Sequence, residues 1–273
     1  MILVTGATGN VGRNVVTQLV EAGEKVRAVA RNPERVTLPE GVEVVRADLG
    51  DPSTLAGALA DVERAFLFPV TGATEGFLAQ AKELERVVLL SSASVTYAEP
   101  NEISLRHLAH ENVLAESGLQ WTFVRPGAFM TNDFQWAAGV KAGVVRAPYG
   151  GAAVAPIDER DIAAVAVRAL LDDAHVGQAY ELSGPESLTV AERVRIIGEV
   201  LGREVRFEEQ DPVEARAQMI KHVPENVVDG LLAMFASLVG TTAPVLPGVR
   251  EVTGREPYSY ADWVALHRAD FTA

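Results

Sequence analysis

The sequence predicts an α/β fold, a doubly wound parallel sheet with a smaller C-terminal α+β lobe. Three observations predict it. Short runs that are apolar along their whole length, such as Ile2-Leu3-Val4 and Val87-Val88-Leu89-Leu90, alternate with segments of helical period. Strands of that kind belong in a parallel sheet covered on both faces. Six such runs precede Pro126. A glycine-rich turn, Gly6-Ala7-Thr8-Gly9-Asn10-Val11-Gly12, follows the first of them.

The elements follow in order. Ile2 to Thr5 is the first strand; Arg13 to Ala22 places Val15, Val16, Leu19 and Val20 at helical spacing and stops at Gly23. Lys25 to Ala30 and Val42 to Arg46 are the second and third strands, and Ser53 to Leu59 reads as a helix opened by Asp51-Pro52. Arg64 to Phe68 is the fourth strand, Gly76 to Glu85 a helix, Arg86 to Ser91 the fifth strand, Glu102 to Ser117 a helix and Trp121 to Arg125 the sixth strand. Beyond Pro126 the rhythm loosens. Helices are expected over Asp158 to Leu171 and Thr189 to Leu201, the latter with Thr189 as N-cap and Glu192 closing a capping box. Short strands are expected at Ala179 to Leu182 and Val205 to Glu208; residues 212–240 read as two helices divided by Pro224, and a last helix starts at Tyr260. The apolar set Met219, Leu231, Leu232, Met234, Phe235 and Leu238 reads as lobe core rather than ligand contacts. The division expected is 1–150 for the sheet domain and 151–273 for the lobe, with sheet and lobe interleaved and the boundary approximate.

Composition narrows the partners. The chain has 273 residues, 48% hydrophobic, with 37 acidic and 24 basic side chains and a net charge of −13. This argues against nucleic acid and an anionic membrane, which demand a cationic surface. There is no cysteine, hence no disulfide, thiolate metal site or cysteine nucleophile. No signal-like N-terminus and no run of roughly 20 apolar residues is present, so a cytoplasmic protein is expected.

The turn carries the chemistry. Gly6, Gly9 and Gly12 are spaced three apart between a strand and a helix. Gly6 allows the tight turn, Gly9 lets backbone approach a pyrophosphate, Gly12 lets the helix pack on the sheet, and the helix N-terminus offers amides to the anion. Gly6, Thr8, Gly9, Asn10, Val11 and Gly12 are therefore candidate dinucleotide contacts. Arg31 ends the second strand, where an arginine suits a ribose 2′-phosphate and an acid suits a 2′-hydroxyl. NADP(H) is favoured and NAD(H) possible. His107 and His110 share a helix face, but too few ligands accompany them for a metal site, and none is expected. Gly-x-Ser-x-Gly and Walker motifs are absent.

The segment TGATGNVG resembles the short-chain dehydrogenase/reductase superfamily. Arg31-Asn32-Pro33, Ala47-Asp48-Leu49, Leu89-Leu90-Ser91-Ser92, Ser117-Gly118-Leu119, Val124-Arg125-Pro126-Gly127-Ala128-Phe129-Met130 and Leu182-Ser183-Gly184-Pro185 resemble its atypical, NmrA-like branch in order along nearly the whole chain. The resemblance implies a Rossmann sheet. It also implies cofactor contacts at Asp48 and Leu49, at Phe68, Pro69 and Val70, at Ser91 and Ser92, and at Pro126 and Gly127. Substrate contacts are implied at Phe129, Met130, Asn132 and Phe134.

One family feature is missing. The classical members of this superfamily carry Tyr-x-x-x-Lys, the tyrosine as general acid and the lysine lowering its pKa and holding the nicotinamide ribose. Here Tyr97 is followed by Asn101 at +4; aligned through Glu111, His107 takes the lysine position and Ile103 the tyrosine position. His107 and Tyr97 are the candidate catalytic residues, with His107 also a candidate ribose contact. The activity expected is NAD(P)H-dependent reduction of a quinone or aromatic carbonyl by a monomer or homodimer. A tailoring enzyme acting on an aromatic polyketide in secondary metabolism and a non-catalytic redox-sensing regulator are the alternatives.

Overall fold

The computed structural model describes residues 1–97 and 100–272. The chain forms two compact units. It begins in the first with β1 (Ile2–Val4), α1 (Asn10–Glu21), β2 (Val26–Ala30), β3 (Glu43–Arg46), β4 (Arg64–Leu67), α2 (Thr74–Gln80), β5 (Arg86–Leu90), α3 (Glu102–Glu116) and β6 (Gln120–Pro126). Gly127 opens the second unit, with α4 (Ala137–Ala142), β7 (Val144–Ala147) and β8 (Ala153–Val154). The chain returns to the first for α5 (Glu159–Leu171) and β9 (Gln178–Leu182). The second unit then adds β10 (Leu188–Thr189), α6 (Val190–Leu201), β11 (Arg206–Glu209), α7 (Pro212–Met219) and α8 (Glu225–Leu238). α9 (Gly248–Thr253) belongs to the first unit, and α10 (Tyr260–Leu266) and α11 (Arg268–Thr272) to the second.

The first unit is a seven-stranded sheet of order β3-β2-β1-β4-β5-β6-β9, parallel at every pairing. The short run at 179–182, expected in the lobe, is its seventh strand. The first unit accordingly runs to Pro126 and recovers Glu159–Leu182 and Gly248–Arg255, so a single cut at residue 150 does not describe it. Both faces are covered. α1 and α5 pack together on one, Gln18 Nε2 donating to the Arg160 carbonyl at 3.1 Å. Leu3, Leu67, Phe77, Leu89, Leu114 and Phe123 lead the core on the other. All the strands being parallel, their C-terminal ends share one edge, and the order reverses between β1 and β4, where such sheets bind ligands.

Three helix expectations change, the first being that the helix expected over Gly76 to Glu85 is α2, Thr74–Gln80. Residues 53–59 form a 3₁₀ turn at Pro52–Thr54 followed by further turns. The guanidinium of Arg27, 8% exposed, bonds the Ala58 and Ala60 carbonyls at 3.0 and 2.6 Å and so satisfies acceptors at the end of this segment that no helical N–H would reach. α1 starts at Asn10 rather than Arg13, because the glycine turn supplies its first turn.

The second unit has its own core, in which Met130, Trp136, Val194, Ile197, Tyr260 and Trp263 are prominent. Inside it Arg193 Nη1 meets both oxygens of Asp133 at 2.6 and 2.7 Å, and the Tyr260 hydroxyl donates to Asp133 Oδ2 at 2.6 Å. The capping box of Thr189 and Glu192 forms as expected. In α8 only Val228 and Leu232 are buried, so Leu231, Met234, Phe235 and Leu238 contribute less to a core than expected. Among the described residues no helix is long and apolar enough to cross a membrane.

Candidate active site

The turn between β1 and α1 lies at the sheet's reversal point. Thr5 is fully buried; its hydroxyl donates to the Phe66 carbonyl at 3.1 Å and accepts from the Phe68 N–H at 2.7 Å, tying the ends of β1 and β4. Gly6 has φ +62°, and a Cβ there would lie 2.9 Å from Phe68 Cβ. At Gly12 a Cβ would lie 2.1 Å from the Gly6 carbonyl oxygen, so the fold itself demands glycine. Gly9 differs: φ −79° and ψ 171° suit any residue, and a Cβ would touch only the Gly6 carbonyl, at 3.3 Å. The fold demands glycine far less there than at Gly12, since the Gly6 carbonyl would have to give by only a few tenths of an ångström, and the open side suits a ligand's close approach. Gly9 caps α1 without a side chain, and no acidic residue occupies the first turn. The amides of Asn10, Val11 and Gly12 there have no intrahelical acceptor. These features fit a dinucleotide pyrophosphate.

Beyond β2 the site is cationic. Arg31 and Arg35 are exposed, and among the described residues neither guanidinium has an ion-pair partner. Arg46, the last residue of β3, donates from Nη1 to the Arg31 carbonyl and from Nη2 to Glu34 Oε2, both at 2.9 Å. Asp48 is exposed, its Oδ1 accepting from the Gly50 N–H at 2.9 Å, whereas Leu49 is 8% exposed and packs in the core. Phe68 is 44% exposed beside Gly6, and Pro69 and Val70 are half-buried.

At the ends of β5 and β6 a buried network stands. Glu111 of α3, 3% exposed, accepts from Ser91 Oγ at 2.5 Å and from Arg125 Nε and Nη2 at 2.9 and 2.6 Å. Ser92 Oγ accepts from the Ser94 N–H at 3.2 Å. One helical turn before Glu111 lies His107, whose Nδ1 is buried and has no partner among the described residues. Burial, then His110, holds the His107 pKa below its usual 6.5, so its imidazole is neutral at pH 7. His110 is tied to Thr74 Oγ1 at 2.6 Å, and burial lowers its pKa too. Tyr97 is 45% exposed; burial and then Glu181 raise its pKa. Its +4 neighbour Asn101 is the N-cap of α3, its side chain accepting from the Ser104 N–H at 2.9 Å. Burial, not a lysine, is the main cause of both shifts, and His110 and Arg106 add to the lowering at His107.

The comparison with known proteins agrees with this geometry. A family model described as NAD(P)H-binding matches residues 6–173, and one described as NmrA-like matches residues 107–251. The chain belongs to the NmrA-like family. Over 99% of both chains it is 43% identical to (4-alkanoyl-5-oxo-2,5-dihydrofuran-3-yl)methyl phosphate reductase of Streptomyces griseus. Over the full length of both it is 34% identical to NAD(P)H azoreductase of Xenophilus azovorans. The NADPH complex of the NADPH-dependent quinone oxidoreductase of Escherichia coli superposes with a TM-score of 0.82 at 25% identity, covering 98% of this chain and 100% of that one. This NmrA-like protein is an NAD(P)H-dependent oxidoreductase; these two relatives, matched over their whole length, are named as reductases, which favours neither the regulator nor the polyketide-tailoring alternative.

In this NmrA-like chain the first unit gathers at one sheet edge the residues expected at the cofactor: the Gly6–Gly12 turn, Arg31, Asp48, Phe68, Pro69, Val70, Ser91 and Ser92, with Pro126 closing β6. Leu49 is turned into the core. Gly127 is the first residue of the second unit. There Phe129 is half-buried and Asn132 exposed, so both have surface to offer. Met130 is 1% exposed, which corrects its reading as a substrate contact: its side chain is committed to the core. Phe134 is half-buried against Trp263, with ring centroids 5.0 Å apart, and near His267 and Phe271, so aromatic packing occupies much of it. Sequence reading missed Arg46 and the Arg125–Glu111–Ser91 network. Pairing across neighbouring strands is what brings Arg46 beside Ala30, and no local motif announces it.

Proposed function

We propose that this protein uses NADPH to reduce a small, electron-poor conjugated acceptor, a quinone or an aromatic carbonyl, with no dedicated proton donor. The observation that carries the reading is that, among the described residues, no lysine follows Tyr97 where the tyrosine–lysine pair would place one: Asn101 is spent capping α3, burial raises the Tyr97 pKa, and burial lowers that of His107. A dedicated general acid contributes about 10²–10⁴ in rate, which an unactivated carbonyl needs and a quinone does not. When bound, the reduced nicotinamide supplies the hydride. The amides of Asn10, Val11 and Gly12 with Thr8 hold the pyrophosphate, Arg31 the 2′-phosphate, and Asp48, Phe68, Pro69 and Val70 line the adenosine side. His107, in the lysine's place, contacts the ribose, and the Arg125–Glu111–Ser91 network fixes α3 beneath it. Phe129 and Asn132 are the substrate contacts. With a quinone the hydride leaves a stabilised hydroquinone anion, and with an aromatic carbonyl a more basic alkoxide; either takes its proton from water.

The same chemistry covers the relatives. An azo group and a quinone are electron-poor acceptors, and the named furanone carries an alkene conjugated to two carbonyls, whose reduction leaves a dicarbonyl enolate. The 43% identity makes an acyl furanone phosphate the second substrate class to test. The protein acts in the cytoplasm, as a monomer or homodimer. The experiment is a panel of quinones, azo dyes, acyl furanone phosphates and simple ketones, followed by NADPH consumption. Turnover of the conjugated acceptors and not of the ketones supports the proposal. Tight NADPH binding without turnover of any acceptor refutes it.

A further inference from the structure

We infer that Arg46 is a positioning residue that sets the preference for NADPH over NADH, an inference that rests on Arg31 receiving the 2′-phosphate. The corner after β2 contains a contradiction that Arg46 resolves. Arg31 and Arg35 offer unpaired positive charge, but Glu34 stands between them in sequence on the 3₁₀ turn Pro33–Arg35. An acid beyond the second strand is what favours a 2′-hydroxyl, which it accepts from, over a 2′-phosphate, which it repels. Left free, Glu34 would work against Arg31.

Arg46 occupies Glu34 instead. In the parallel register it lies opposite Ala30, and its two terminal nitrogens divide their work: Nη2 pairs the Glu34 carboxylate and Nη1 holds the Arg31 carbonyl, each at 2.9 Å. One planar fork thus straps the backbone of residue 31 to the side chain of residue 34, which a lysine's single charge centre does poorly. The pair is exposed, 65% for Arg46 and 58% for Glu34, so it adds little to stability. Its consequence is local charge. With Glu34 neutralised, the corner of a chain whose net charge is −13 presents the surplus cations Arg31 and Arg35. Without Arg46 it presents a free carboxylate as well.

The test is the dissociation constants of NADPH and NADH, by titration calorimetry on the full chain without acceptor, for Arg46→Ala, Arg46→Lys, Glu34→Gln, the double variant Glu34→Gln/Arg46→Ala and Arg31→Ala. Melting temperature is recorded for each. Arg46→Ala should weaken NADPH about fivefold, the scale of one exposed charge pair, and leave NADH unchanged or tighter. Arg46→Lys should fall between, and the double variant should recover part of the loss because the repelling acid is gone. An equal loss for both cofactors, or no loss of NADPH, overturns the role of Arg46. The Arg31→Ala variant separates the two levels. If it leaves the NADPH-to-NADH ratio unchanged, the 2′-phosphate reading itself fails; if it lowers the ratio while Arg46→Ala does not, that reading stands and only the Arg46 inference falls.

Discussion

Gly9 and Gly12 should respond in opposite ways to one added methyl group. At Gly12 the new Cβ would be 2.1 Å from the Gly6 carbonyl oxygen, 2.7 Å from the Gly6 carbonyl carbon and 3.1 Å from Ala7 Cα. All three are backbone atoms, so no rotamer change relieves the clash and the β1–α1 turn must move. Overpacking of this kind costs about 1–3 kcal/mol, and a backbone clash belongs at the upper end. For a chain of this size each kcal/mol lowers the melting temperature by roughly 2–4 °C, so Gly12→Ala should lose about 6–12 °C. At Gly9 the backbone angles are ordinary and the one close contact is 3.3 Å. There the unfolded chain's lost entropy favours alanine by about 0.4–1 kcal/mol and the poorer N-cap opposes it by a similar amount. Gly9→Ala should therefore melt within about 3 °C of the parent, yet bind NADPH at least about tenfold more weakly, because the methyl enters the space the pyrophosphate needs. Thermal denaturation followed by circular dichroism and NADPH titration read the two effects separately. Parent-like NADPH binding by Gly9→Ala would refute the assignment of the turn, whatever its melting temperature.

Three further outcomes are expected. Arg193→Leu strands Asp133 in the second unit's core with only the Tyr260 hydroxyl, and should cost about 3–5 kcal/mol in urea unfolding; a loss under about 1 kcal/mol would mean the pair is not formed. His107 and His110 have folded pKa values below 6.5, so the unfolded chain binds more protons between that value and the folded ones. Their stability contribution is full above 6.5 and is lost as the pH falls through it, and His107→Gln/His110→Gln should flatten melting temperature against pH in that window. An unchanged slope would contradict the burial of these imidazoles. Tyr97→Phe should reduce kcat with a quinone by less than about tenfold, whereas a general acid would cost about 10²–10⁴.

Much of the first unit was legible because its strands are short, largely apolar runs, several of them closed by glycine, proline or serine. The cofactor turn was legible because its glycine spacing is local. Less legible were elements decided by distant partners. The segment Ser53–Leu59 has helical composition but forms a 3₁₀ turn and further turns, and the carbonyls at its end are met by Arg27, a strand residue about thirty residues away. Residues 179–182 look like an isolated lobe strand until β6 is available to pair with them. Phe134 looks like a pocket residue because an aromatic after the sixth strand is equally suited to core and ligand, and only the position of Trp263 and Phe271 shows how far it packs. The Glu111 network spans three elements, so composition could mark Glu111 for alignment but not for its partners.

Single-turnover oxidation of NADPH by a quinone tests the central claim most directly, run with NADPH deuterated at the transferred position and separately in heavy water. Hydride transfer without a dedicated proton donor predicts that the deuterated cofactor slows the step and heavy water leaves it nearly unchanged. Equal slowing by heavy water would show a proton moving in the same step and would contradict the account.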